Sequence, residues 1–123
     1  MDAATEAAYE AMFVGNRVRV RPVADAIVDA VEALGDDVTI SATRLYMALA
    51  TPERQFGLFF PASGRRLTLR LRLEGTVAPS GRLQSTADRA PEGRFDTVAH
   101  LAHPDHVDGD LVAALRAAYR LAR

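Results

Sequence analysis

The chain has no cysteine. That excludes a disulfide framework, a thiolate nucleophile and a thiolate metal site, and it fits a reducing compartment, with the cytoplasm as the expected location. No apolar run approaches the roughly 18 residues of a membrane span, and no basic segment leads into an apolar one near the start, so neither spanning nor secretion is expected. Lysine is absent too: all 15 basic residues are arginine, so every cation is a planar, multidentate donor. Alanine is abundant beside it, and the pairing fits GC-rich codon usage as well as a functional choice of arginine. No glycine-rich run lies between a strand and a helix, which removes phosphate loops and dinucleotide fingerprints. The serines sit in turns without a Gly-x-Ser-x-Gly elbow, and no histidine has an evident serine partner. No cofactor is expected.

What is present belongs to an ordinary folded domain. Apolar residues make up 49% and charged residues 25% of 123 residues, enough for one hydrophobic core and too few for two. We read one domain over 1–123, with an N-terminal helix and extended arm at 1–21 and the body at 22–123. The formal charge of -1 argues against strong nonspecific nucleic-acid affinity while leaving room for a local cationic patch.

Along the chain, Tyr9, Met12 and Phe13 recur at helical spacing in an alanine-rich opening that Gly15 and Asn16 end. Pro22 suits a first helical turn, and Val23, Ile27, Ala30, Val31 and Leu34 form the apolar stripe of a helix that stops at Gly35. From Val38 the period becomes two. Val38–Thr43, Leu45–Ala50, Phe56–Phe60 and Arg66–Leu73 alternate as strands, the last with Leu67, Leu69, Leu71 and Leu73 on one side and Arg66, Thr68, Arg70 and Arg72 on the other. Their connections are too short for parallel crossovers. Residues 75–93 form a long polar connection, either mobile or the seat of a function. Phe95–Leu101 alternates more weakly as a fifth strand. Asp108 caps a final helix with Leu111, Val112, Leu115, Ala118, Tyr119 and Ala122 inward. The expected fold is α+β: an antiparallel meander of four to five strands, with N-terminal helices and a C-terminal helix packed on one face.

Two clusters could carry function. His100, His103 and His106 lie within seven residues, beside Asp105, Asp108 and Asp110, and such groups can hold a transition metal. Their spacing matches no metalloprotease helix and Pro104 breaks any continuous helix through them, so a polar connector helping to cap the last helix is the competing account, and no metal is assigned. The second cluster is the arginine ladder, Arg66, Arg70 and Arg72, with Arg17, Arg19 and Arg21 alternating with Val18 and Val20. If helices cover the leucine face, the ladder shares an open face with Thr68 and, depending on register, Tyr46 and Phe59. Arginine beside aromatics can stack on bases or clamp carboxylates and phosphates, whereas a solvated face with cross-strand ion pairs is the plainer alternative.

The ordered residues Arg44-x-Tyr46, Gln55-Phe56, Pro61, Leu69-x-Leu71-x-Leu73-x-Gly75, Gly81-Arg82-Leu83, Val107-Asp108 and Ala118-Tyr119 resemble the domain of unknown function numbered 5655, a small bacterial and archaeal module. The likeness runs from about Pro22 to the C-terminus. It implies the fold more than an activity, since the family has none established and only some longer relatives are labelled as predicted transport proteins. The family often has lysine at Arg44, a basic stretch at Ala50-Thr51-Pro52-Glu53 and a His-Arg pair near Thr97-Val98, and this chain departs at all three. Arg44, Tyr46, Gln55, Arg66 and Arg82 are the matching polar positions. With Arg70 and Arg72 they form the candidate binding set. A binding or interaction module is expected, engaging a protein partner, a second copy of itself or a small anionic ligand. The alternatives are a nucleic-acid-binding accessory domain and a small metal-dependent protein built on the histidines.

Overall fold

The computed structural model describes residues 1–86 and 95–123. Helix α1 spans Ala3–Met12, a 3-10 helix follows over Gly15–Val20, and α2 runs Arg21–Glu32. Strands β1 (Thr39–Ala42), β2 (Met47–Ala50), β3 (Gln55–Pro61), β4 (Leu67–Leu71), β5 (Gln84–Ser85) and β6 (Thr97–Leu101) form one antiparallel sheet in the order β1-β2-β3-β4-β6-β5. A short 3-10 turn at Pro104–His106 leads into α3, Gly109–Leu121.

The class is α+β with one antiparallel sheet and the helices outside it, as the periodicity suggests. Two details differ. The sheet has six strands rather than four or five, because Gln84–Ser85 within the long connection pairs along β6. Two residues are too few to show an alternation, so this strand leaves no sequence signal. The meander also holds only through β4, since β6 inserts between β4 and β5. The 15–21 segment is not an extended arm: Arg17 and Arg19 lie in the 3-10 helix, and Arg21 opens α2 next to Pro22. Its strict alternation of arginine and valine suits a tight helix as well as a strand when only Val20 needs burial. Residues 87–93 of the long connection lie outside the described residues.

One core fills one side of the sheet. Leu67, Leu69 and Leu71 stand beside Pro61, Phe59 and Gly57 on one flank and Leu101, Ala99 and Thr97 on the other. The stripes of α2 (Val23, Ile27, Val31) and α3 (Leu111, Leu115, Ala118) close over them. Tyr9 and Phe13 anchor α1 in the same core, Tyr9 edge-on to Phe59 and hydrogen-bonded to Asp25 at 2.7 Å. Asp108 caps α3 by accepting from the Leu111 N–H, as expected. The other end of α3 is held by the β2–β3 turn, where the Thr51 hydroxyl donates to the Ala122 carbonyl and Arg54 to that of Leu121, each at 2.6 Å. These are orphan carbonyls of a helix end, and capping them stops fraying.

A bulge sets the faces of β3. Leu49 pairs with Gly57 but Ala50 with Gln55, so Phe56 is the extra residue. Two successive side chains then point to the same side. Phe56 and Phe59 are both fully buried, and Phe56 meets Tyr119 of α3 edge-on. Leu58 and Phe60 are left on the opposite face, beside Ala48, Thr68, Arg70, Val98 and His100.

Candidate functional site

The tip of the β1–β2 hairpin is a tight turn over 43–46. The Thr43 hydroxyl accepts from the Leu45 and Tyr46 amides and donates to the Tyr46 carbonyl at 3.0 Å. That turn throws Arg44 and Leu45 outward, leaving Leu45 75% exposed, more than any other large apolar side chain among the described residues. Below it, Tyr46, Leu58, Phe60 and Arg70 lie on the open sheet face. Across from them, α1 presents Met12 and the small residues Ala8 and Ala11, and the 3-10 helix presents Arg17. Together they line an open groove of about 830 Å³, within the range that small-ligand sites occupy.

Among the described residues the lining carries three guanidinium groups, Arg17, Arg44 and Arg70, and no carboxylate. Among the described residues none of the three has a carboxylate within 4.0 Å, whereas Arg21 pairs with Glu10 at 2.9 Å on the far side of α1. The Arg70 guanidinium lies 5.9 Å from the Phe60 ring centroid. Such stacking uses the cation's flat face and leaves its N–H edges for an anion. The groove thus joins a desolvating floor (Leu58, Phe60, Tyr46) to a cationic rim.

The seven sequence candidates divide. Arg44, Tyr46 and Arg70 meet in the groove. Arg66 lies just before β4, where its carbonyl accepts from the Ala62 and Ser63 amides, and outside the groove lining, near enough to His100 to act on its charge. Gln55 turns its amide onto the Gly57 carbonyl at 3.1 Å, beside the bulge. Arg72 lies past the end of β4, its guanidinium 5.9 Å from the Phe95 ring centroid. Arg82 sits near the start of α3, 3.9 Å from Asp108. The aromatic partner is Phe60, not Phe59, which the bulge and Leu69 pairing place in the core. Gly57 could have signalled this: a glycine facing the leucine side puts Phe59, two residues on, with it. Met12 and Arg17 reach the groove through the docking of α1 and the 3-10 helix, and Leu58 through the phase the bulge sets, none of which is a local property of the sequence.

The histidines separate as well. His100 points from β6 onto the open face, its Nδ1 3.2 Å from the Thr68 hydroxyl. His103 caps the short 3-10 turn through the Asp105 N–H, and His106 Nδ1 accepts from the Ala102 N–H at 3.0 Å. Pro104 forces this turn between them. Among the described residues, no three histidine, aspartate or glutamate side chains converge on a point that could hold a metal ion.

Fold and groove define a small α+β domain with an arginine-rimmed groove on one sheet face. The chain belongs to the family described as a domain of unknown function, DUF5655, which matches residues 9–122. The match takes in the anchor Tyr9 and the groove wall at Met12, upstream of the Pro22 boundary read from the sequence. No curated protein and no solved structure matches the chain. No helix among the described residues is long and apolar enough to cross a membrane.

Proposed function

We propose that the chain is a non-enzymatic cytoplasmic binding module whose groove takes a small organic anion, with an aromatic or apolar body over Phe60, Tyr46 and Leu58 and an acidic group at Arg17, Arg44 and Arg70. The observation that carries this is the gathering, around an apolar floor, of three arginines that have no carboxylate partner among the described residues. In a protein of net charge -1 such a patch is local, and it would recognise an anion by fit rather than by bulk attraction. The acidic end of a protein partner, or of a second copy, would meet the same chemistry.

The test uses 1-anilinonaphthalene-8-sulfonate, an aromatic sulfonate. Saturable fluorescence enhancement is expected with the folded chain. A hydrogen bond to a charged group contributes about 1.5–3 kcal/mol, so Arg44→Gln and Arg70→Gln should each weaken the probe about tenfold or more. Equal enhancement by the double variant and the parent, both with unchanged melting, would overturn the reading.

A second reading is favoured by the same open face: Phe60, Tyr46 and His100 could stack single-stranded bases while Arg66 and Arg70 meet phosphates. It requires anisotropy of a labelled oligonucleotide to rise at low salt and to collapse steeply as salt increases.

A further inference from the structure

We infer that a second anion seat lies beside the groove on the same sheet face, formed by Arg66, Arg70 and His100 around Thr68, and that it takes a tetrahedral dianion, a phosphate or sulfate group. The inference rests on reading this face as anion-binding, but on different side chains from the groove, Arg70 excepted.

The register builds the seat. Thr68 of β4 stands directly opposite His100 of β6, and the residues two before and two after Thr68 project to the same side. These are Arg66 and Arg70, diagonal to His100 at roughly 7–8 Å between Cα atoms, within reach of long side chains. Thr68 is 3% exposed and forms the floor, while His100 is exposed above it. When the Thr68 hydroxyl donates to Nδ1, the ring proton sits on Nε2, directed away from the strand. The group then offers two guanidiniums and one imidazole N–H, all donors. That donor set suits an oxyanion and repels a metal ion.

The surroundings agree. The open-face strand positions are Thr39, Ser41, Ala48, Ala50, Gln55, Leu58, Phe60, Thr68, Arg70, Val98, His100 and Gln84, and none is acidic. Among the described residues the charged groups that act on His100 are Arg66 and Arg70. Partial burial first, then these two cations, hold its pKa below the ordinary 6.5. An anion bound between them would cancel the repulsion and favour the imidazolium, so binding and protonation reinforce each other.

The experiment follows the three histidine rings by NMR from pH 5 to 8, in sodium sulfate and in sodium chloride of matched ionic strength. Sulfate keeps its charge over this range. The expected result is a rise of about one pH unit in the His100 midpoint with sulfate, equivalent to tenfold tighter sulfate binding by the protonated ring, with His103 and His106 unmoved. His100→Gln should remove the pH dependence of sulfate binding. Arg44→Gln should weaken dye binding in the groove about tenfold or more yet leave the His100 response, which separates failure of the groove from failure of the seat. A parallel titration with 1-naphthyl phosphate identifies the source: an ester of a larger ligand shifts His100 and displaces the dye, and a free oxyanion site shifts His100 without displacing it. If neither sulfate nor naphthyl phosphate moves the His100 midpoint, the seat does not exist.

Discussion

Gly57 lies opposite Leu71 with no room for a side chain between them: a Cβ at Gly57 would come within 2.8 Å of Leu71 Cδ2 and 2.9 Å of the Arg70 carbonyl oxygen. The leucine can move, but the carbonyl belongs to the β3–β4 ladder and cannot. Gly57→Ala should therefore destabilise by about 1–3 kcal/mol through overpacking next to the bulge, read as a lower urea midpoint with unchanged slope.

The bulge predicts opposite behaviour for two phenylalanines four residues apart. Phe56→Ala removes a fully buried ring packed on Tyr119 and should cost about 3–5 kcal/mol. Phe60→Ala opens no cavity in the core. It should cost about 1 kcal/mol or less, as substitutions outside the core do, while dye binding falls. A large loss of stability at Phe60 with none at Phe56 would reverse the assignment of faces.

This pair also marks how far the sequence could be read. The leucine ladder, the stripes of α2 and α3 and the Asp108 cap follow from period and capping chemistry, so class, helix order and covered face were legible. The bulge was not, because Gln-Phe-Gly-Leu-Phe-Phe alternates equally well in either phase. Nor was the insertion of β6 beside β4, which depends on pairing across the long connection. For the site, Arg44, Tyr46 and Arg70 converge, whereas Gln55, Arg72 and Arg82 go elsewhere. Their grouping needed the hairpin turn at 43–46 and the docking of α1, neither of which is a local property.

Asp37 should make stability depend on acid pH. The Tyr119 hydroxyl, which donates to its carboxylate, holds its pKa below the ordinary 3.8 against partial desolvation, with Arg123 adding a smaller pull. A depressed folded pKa contributes stability that is complete above 3.8 and fades as pH falls through the lower folded value. Tyr119→Phe should return the Asp37 midpoint toward the ordinary value and flatten the fall in melting temperature between pH 4 and 2.5.

Asp96 should matter more than an exposed carboxylate usually does. Its oxygens accept from the Leu73 and Glu74 amides at 2.9 and 2.8 Å, fixing the chain where Glu74 takes a φ of 51°. Asp96→Ala should cost about 1–3 kcal/mol by leaving those donors unmet, and Asp96→Asn should retain part of that. Thermal melts of the two variants decide it.

The insertion of β6 between β4 and β5 has a bearing on assembly. The first four strands pair with sequence neighbours, so they can zip up from local contacts. β5 cannot join them, since its only pairing among the described residues is with β6. Until residues 97–101 arrive, β4 is a bare edge, and until α3 follows, part of its leucine face stays uncovered. A nascent or truncated chain ending before α3 would thus display an open edge next to an apolar surface, the combination most prone to pairing with another copy.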